Sequence, residues 1–533
     1  MSHIGQPPCD AGAILHGTPA VPHSAAAARW TLVAAILGSS MAFIDGTVVN
    51  VALPAIQREL NATASEAQWV IESYALFLAA LLLVGGSLGD HFGRRRIFMI
   101  GVALFTLASI GCGLSTSVAA LIAARSVQGV GAALLVPGSL SLLSAAFPQA
   151  ERGAAIGTWS AFSGITAAIG PVIGGYLVDH YAWTWAFLVN APIGALLLAI
   201  CAREVPESLG SASRDPVDVA GAILATVGLA GAVFALIEAP TRGWGAAGVL
   251  VAGAIGVLGL GTFVVWERHA RAPMLPLQLF QQRDFAGANL LTLLLYGALG
   301  GGLFFVPLNL IQVQGYGATA AGAALLPFIA IMFALSTWAG TLVERYGSKL
   351  PLVVGPTIAG AGFALFAAPS IDSNYWTTFF PAVCVLGLGM SITVAPLTTT
   401  VMNAVDPALA GTASGINNAL SRAAGLLAIA IFGVVLAWAF NASLVREIRR
   451  VDAPPQAIST IMTQRQKLAG AEVPEGLPEE VNAQLKHAIG HSFVTGFRWV
   501  MLLSAVLALL SAVSAWFLIS GKQKSTDSNG SRQ

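Results

Sequence analysis

"GSLGDHFGRRR" (Gly86–Arg96) returns 254 positions later as "GTLVERYGSKL" (Gly340–Leu350), with Gly86, Asp90, Gly93 and Arg95 answered by Gly340, Glu344, Gly347 and Lys349. Single glycine matches mean little in a chain with 58 glycines. A second set carries more weight: Gly129, Gly131, Gly153 and Gly157 are answered by Gly387, Gly389, Gly411 and Gly415, each 258 positions later. The offset drifts by only four residues between the two stretches, so the chain reads as two related halves.

Composition sets the class. Of 533 residues, 56% are hydrophobic and 10% charged, and mean hydropathy is +0.77. Soluble domains hold about 25% charged residues, so a soluble fold of this size could not cover its surface. Apolar runs near the length of a membrane-crossing helix recur along the chain. They fall at roughly 30–54, 69–89, 97–115, 118–143, 154–178, 184–202, 218–238, 247–266, 286–309, 319–343, 350–368, 375–398, 409–440 and 493–519. The chain is read as an all-α polytopic membrane protein with fourteen spans. The repeats align span two with span ten, span four with twelve and span five with thirteen, so spans seven and eight are an extra pair between two six-helix halves. Two parallel halves around a central site are the plan of an alternating-access transporter.

The expected organisation is a disordered tail (1–28), a six-helix bundle (29–203), a linker with two extra spans (204–285), a second six-helix bundle (286–519) and a final tail (520–533). The first 28 residues have no Lys or Arg and do not resemble a cleaved signal peptide. If both termini are cytoplasmic, that side holds 15 basic residues, including Arg29, Arg94–Arg96, Arg214 and Lys349, against Arg58 and Arg242 in the short opposite loops. This is a positive-inside bias, and it places the chain in a cell inner membrane with both termini inside. Residues 441–492 form a charged outer loop with six basic and six acidic residues, in which "PEGLPEEVNAQLKHAIG" suggests a short surface helix.

Several functions are excluded or disfavoured. Net charge is +1 and there is no basic stripe, which argues against a nucleic-acid partner. The four cysteines are far apart and form no CxxC pair. There is no HExxH, GxSxG, Walker loop or metal-spaced histidine cluster, so neither an enzyme nor a self-contained ATP-driven pump is expected.

The motifs resemble those of a known family. "GSLGDHFGRRR" looks like the loop signature of the major facilitator superfamily. "FIDGTVVNVALP" (Phe43–Pro54), "RSVQGVGAA" (Arg125–Ala133) and "GPVIGG" (Gly170–Gly175) look like those of its fourteen-helix drug:H+ antiporter branch, and "WTWAFLVNAPIG" (Trp183–Gly194) fits too. The resemblance covers about residues 30–440 and span fourteen. It implies the major facilitator fold and a proton-coupled multidrug efflux transporter, with amphipathic and cationic small molecules as substrates. No cofactor is expected besides the proton gradient. The partners are then the bilayer and the substrates, with a monomer expected and a periplasmic adaptor and outer-membrane channel allowed for. The alternatives are a proton symporter importing a small nutrient and an exporter of one specific metabolite.

Candidate site residues follow in three groups. Asp45 lies nine residues from the outer end of span one and Arg125 about seven from that of span four, roughly 13 Å and 10 Å deep at 1.5 Å per residue. At similar depth they can meet. Intramembrane charges are costly and by default functional, and Arg125 can hold Asp45 ionised until something draws it away. Glu72, a turn into span two, is a second titratable candidate. Asn50 and Arg422 complete the coupling and substrate group, and Arg422 suits either an acidic substrate or a structural pair. The second group is the loop Gly86, Asp90, Gly93, Arg94 and Arg95, where Asp90 needs a cationic partner or a helix N-terminus. Family resemblance implies that this charge contact switches between conformations. The third is Gly170, Pro171, Gly174 and Gly175, a small-residue face with a bend. In the family this pattern belongs to antiporters, and Gly174 is expected to separate the halves when enlarged.

Overall fold

The computed structural model describes residues 24–209, 218–406 and 409–520. The expected tails up to residue 23 and from 521, and the linker segment with Arg214, lie outside the described residues. Among the described residues there is no strand, and fourteen helical segments are long and apolar enough to cross a membrane.

The first half has span one (Ala25–Glu59), span two (Ala64–Phe92), span three (Arg94–Gly113), span four (Val118–Ala146) and span five (Gln149–His180). Span six is broken into Trp185–Leu188 and Asn190–Glu204. Spans seven (Val219–Arg242) and eight (Ala247–His269) follow. The second half has span nine (Arg283–Gln312), span ten in two pieces (Ala318–Ala323 and Leu326–Tyr346) and span eleven (Lys349–Phe366). Span twelve (Phe379–Asn403), span thirteen (Ala410–Ile448) and span fourteen (Glu479–Leu518) complete it.

Local chemistry marks these boundaries. Ser24 Oγ accepts from Ala27 N at 3.2 Å, so residues 25–28 are the first turn of span one and not tail. Thr63 and Glu66 form a reciprocal capping box at the start of span two. The two copies of the repeated loop share a device: Gly93 (φ +105°) and Gly347 (φ +71°) end spans two and ten in a conformation that only glycine adopts without strain.

The outer loop differs from expectation. Span thirteen runs on to Ile448 and span fourteen starts at Glu479, so helix replaces much of 441–492. The "NAQLKHAIG" stretch is the first part of span fourteen, because nothing after Pro478 breaks the helix. The separate short helix is Pro455–Thr463, followed by a turn at Arg465–Gly470.

Packing repeats between the halves. Span four lies on spans two and three, span one on four, five and six, and span three on six. Likewise span twelve lies on ten and eleven, span nine on twelve, thirteen and fourteen, and span eleven on fourteen. The matched glycines seat these contacts. A Cβ at Gly131 would lie 2.6 Å from Phe105 N of span three, and one at Gly389 would meet Ala359 N of span eleven. A Cβ at Gly129 would press on Tyr74 O of span two, and one at Gly387 on Phe328 O of span ten. The fold is therefore the major facilitator plan of two six-helix halves plus a linking pair. The halves meet along spans two and thirteen, one and nine, and five and ten. Span seven rests on spans two and thirteen, and span eight packs on span seven.

Gly131→Leu should lower the melting temperature in detergent sharply, because overpacking at a backbone contact costs about 1–3 kcal/mol. Gly153→Ala, where the added methyl meets nothing within 4 Å, should leave it unchanged or slightly raised. Equal melting of Gly131→Leu and the parent protein would remove the close-contact role.

Candidate functional site

One guanidinium organises the centre of the first half. Arg125 Nη1 donates to Asp45 Oδ2 at 2.5 Å and to Gln128 Oε1 at 2.8 Å, and Nε donates to Val70 O at 2.9 Å. Its charge lies 4.2 Å from the Tyr74 ring centre and 5.7 Å from that of Phe187. Gln128 Nε2 donates to Asp45 Oδ1 at 2.7 Å, so both carboxylate oxygens are occupied. Behind Gln128, Ser109 accepts from it and from Asn190 Nδ2, and donates to Phe187 O. Asp45 is 0% exposed and Arg125 1%. The depth match read from the sequence is thus a direct contact. Gln128 was not anticipated, although it stands three residues after Arg125 on the same helix face.

Between the halves lies a cavity of about 490 Å³. Phe43, Tyr74, Tyr296, Phe304 and Phe328 give it aromatic walls, with Met332 and Met390 from the second half. Asn50, Arg125 and Arg422 line it as well. Asp45 does not: it sits behind Arg125, so the carboxylate expected to meet a cationic substrate is off the wall. Among aromatics away from the cavity, Trp159 is fully buried and donates to Ser39 Oγ, and Phe162 and Trp338 are exposed.

Glu72 stands apart from this group. It is fully buried, and neither carboxylate oxygen has a hydrogen-bond partner. One turn away on the same face, Gln68 Nε2 donates to Ile429 O of span thirteen. One turn the other way, Leu76 packs with Leu229 and Val233 of span seven and Leu426 of span thirteen. Glu72 therefore belongs to the seam of spans two, seven and thirteen.

Hydrogen bonds tie the halves at the face opposite the chain ends. Asp179, at the end of span five, accepts from Ala318 N at 2.9 Å, Thr319 N at 2.8 Å and Thr319 Oγ1 at 2.6 Å. A carboxylate thus caps the first turn of span ten, where the helix dipole favours negative charge. Gln312 donates to Gln57 at 2.8 Å, and Lys467 Nζ to Asn61 Oδ1 at 2.6 Å.

The glycine face of span five divides. A Cβ at Gly170 would press on Thr47 Oγ1 and one at Gly174 on Val48 Cγ1, both at 2.6 Å and both in span one of the same half. Gly175 is the glycine packed on the other half, against the Ala318–Thr319 backbone, while Gly322 of span ten faces Pro171 O. Enlarging Gly174 would therefore disturb the first half internally, and Gly175 takes the separating role. Neither Asp179 nor this division was legible, because the rotation of span five is set by its neighbours.

At the repeated loop, Arg94 Nε donates to Asp90 Oδ1 at 2.8 Å, and Arg94 Nη1 to Ser141 O at 3.2 Å. Glu207, unnoticed in the sequence, accepts from the Arg95 and Arg96 backbone at 2.9 and 3.1 Å and so caps span three. Gly93 lies against this carboxylate, where a Cβ would meet it at 2.8 Å. Gly86 faces only Pro137 of span four.

Comparison with known proteins agrees with this geometry. A sequence model of the Major Facilitator Superfamily matches residues 35–429. The chain is 37% identical over 426 residues to the multidrug resistance protein Stp of Mycobacterium tuberculosis, covering 80% of this chain and 79% of that one. It is 34% identical to the tetracenomycin C resistance and export protein of Streptomyces glaucescens, covering 91% of each. It is 33% identical to the puromycin resistance protein pur8 of Streptomyces alboniger, covering 94% and 93%. Among solved structures, an inward-facing, unoccupied bacterial homologue of the human lysosomal transporter Spinster superposes with a TM-score of 0.65 at 18% identity, covering 93% of this chain and 97% of that one. That likeness is one of fold.

Arg125→Met should leave Asp45 buried and unpaired, destabilising the protein by about 3–5 kcal/mol. The double variant Asp45→Asn/Arg125→Met should recover most of the lost melting temperature. A double variant no more stable than Arg125→Met would mean that the pair is not the source of the loss.

Proposed function

Because the chain belongs to the major facilitator superfamily, we propose that it is a proton-coupled exporter of amphipathic small molecules, a multidrug efflux transporter working by alternating access. It is a transporter and not an enzyme. The observation that carries the coupling reading is the buried Asp45–Arg125 pair, whose arginine lines a cavity shared by both halves and whose carboxylate lies behind it. The relatives named for resistance and export support the outward direction. Proton is the coupling ion and no cofactor takes part.

The positive-inside bias supports cytoplasmic termini and an inner-membrane location. In that orientation the tied face is external, and the state described is inward-facing. Export then proceeds as follows. Substrate enters the cavity from the cytoplasm, the halves rock, and the Asp179 cap on span ten and the Gly175 contact release. Rearrangement around Arg125 frees Asp45 to exchange a proton with the outside. Glu72, which moves with the seam of spans two and thirteen, is the second proton site. Asp90 and Arg94, with Gly86, Gly93 and Arg95, form the cytoplasmic switch, which sets the conformational equilibrium for every substrate alike. The unit is a monomer, with an adaptor and outer-membrane channel as optional partners.

Asp45→Asn should abolish proton-driven export in inverted vesicles while the protein remains folded in the membrane. Export at the parental rate would remove Asp45 from coupling. Glu72→Gln should reduce the substrate-linked proton flux without abolishing substrate binding, and unchanged flux would dismiss the second site.

Gly175→Leu should loosen the external seal and produce a substrate-independent proton leak in proteoliposomes. Gly174→Leu should lower stability without that leak. A leak of the same size from both variants would overturn the division of roles within span five.

A further inference from the structure

Two carboxylates meet at the base of the extra helix pair, on the side of the repeated loop and away from the central cavity. Asp218 caps span seven: its Oδ1 accepts from Gly221 N at 2.8 Å and from Trp266 Nε1 of span eight at 2.9 Å. Glu267, near the end of span eight, is 3% exposed. Its Oε2 accepts at 2.9 Å from Leu275 N, in the segment that leads to span nine. The remaining oxygens, Asp218 Oδ2 and Glu267 Oε1, are closed to water and receive no hydrogen bond. Both crowd Gly221, where a Cβ would lie 2.5 Å from the first and 2.8 Å from the second.

No side-chain cation balances this pair among the described residues. Span seven has no other ionisable residue before Glu238, and span eight has only Arg268 and His269 besides Glu267. Those two and Arg271 are exposed, and no ion pair joins them to either carboxylate. On the helices packed against span seven, Asp90 of span two is taken by Arg94. Neither His91 of span two nor Arg422 of span thirteen forms an ion pair with Asp218 or Glu267. Two ionised carboxylates without a donor between them repel, whereas one shared proton turns the contact into a charge-assisted hydrogen bond. A hard metal cation needs about six oxygens. Here two converge, and water cannot reach them to supply the others.

We propose that Asp218 and Glu267 form a proton-binding site outside the transport path, holding one proton between them at neutral pH and thereby fastening the linker between the halves. The outer oxygens explain the fastening. Through them the pair holds the first turn of span seven, the Trp266 indole of span eight and the Leu275 amide on the way to span nine. Loss of the proton sets two negative charges against each other, and the clasp opens. The site is independent of the export reading, since no step of transport enters the argument.

The test is the melting temperature of the full chain in detergent from about pH 5 to about pH 9, above the range in which carboxylates of an unfolded chain titrate. The folded chain binds a proton here that the unfolded chain does not, so this site makes stability fall as pH rises. Glu267→Gln and Asp218→Asn each replace the shared proton with an amide donor that pH cannot remove. Each should melt at least as high as the parent at the alkaline end and flatten the slope by on the order of 2 °C per pH unit. Either variant suffices if the other does not fold. Hydrogen exchange over 270–282, read by mass spectrometry at the alkaline end, should be faster in the parent than in the amide variant. A slope unchanged in the amide variants, or lower melting of both at every pH, would overturn the shared proton. Equal exchange in parent and variant would overturn the fastening. Magnesium or calcium that raises the melting of the parent but not of Glu267→Gln would assign the site to a metal cation and overturn the proposal as well.

Discussion

The Arg125 guanidinium is where four helices of the first half are joined. It grips the carboxylate of span one, a main-chain carbonyl of span two and an amide of its own span four, and it lies against a ring of span six. In a bilayer no water is at hand to satisfy these groups, so each must find a partner inside the protein. Moving Arg125 means moving several helices, and freeing Asp45 means moving Arg125. This mutual dependence ties the state of one carboxylate to the placement of several helices. A buried ion pair is weak evidence of stability in itself, since desolvation offsets most of the attraction. Its value here lies in having one well-satisfied arrangement that is costly to leave halfway.

The second half follows the same helix plan with different chemistry at its polar centre. There Asn417 Nδ2 donates to Asn289 Oδ1 at 3.0 Å and to Thr292 Oγ1 at 2.8 Å, joining spans thirteen and nine with neutral groups. Neutral hydrogen bonds align helices without taking up or releasing a proton. The halves are thus alike in architecture and unlike in electrostatics. The buried ion pair lies in the first half, and the centre of the second is joined by neutral groups.

Much of the fold was legible because bilayer physics writes it into composition. Span lengths, the two-half repeat and the extra pair all follow from apolar runs and glycine spacing. The matched glycines proved informative because each fills a position where a backbone touches a backbone, as Gly131 and Gly389 do. Depth was legible as well, since helix rise converts residue counts into ångströms, and Asp45 and Arg125 meet. Facing was not legible. Whether Asp45 lies on the cavity wall or behind it, and whether Gly174 or Gly175 touches the other half, depends on a rotation of about 100° per residue fixed by neighbouring helices. Contacts of high sequence separation, such as Asp179 with Thr319 and Glu207 with the start of span three, leave no local trace. Helix is legible in "PEGLPEEVNAQLKHAIG", but its continuity with span fourteen from Glu479 is not, because a helix leaving the membrane can be as polar as any surface helix.

The extra helix pair makes the two flanks of the bundle unequal. Spans seven and eight clasp each other through Gly228, Gly231, Gly256 and Gly259, and span seven is fastened to span two by Ser65 on Ile237 O and Trp69 on Glu238. The pair therefore curtains the line where spans two and thirteen meet. The opposite line, where span five meets span ten, has no such covering among the described residues, and span five exposes Phe162, Ile165, Ile169, Ile173 and Tyr176. Lipid tails press directly on one border of the moving halves and are held off the other by protein. The bundle thus presents the membrane with one bare border between its halves and one screened border.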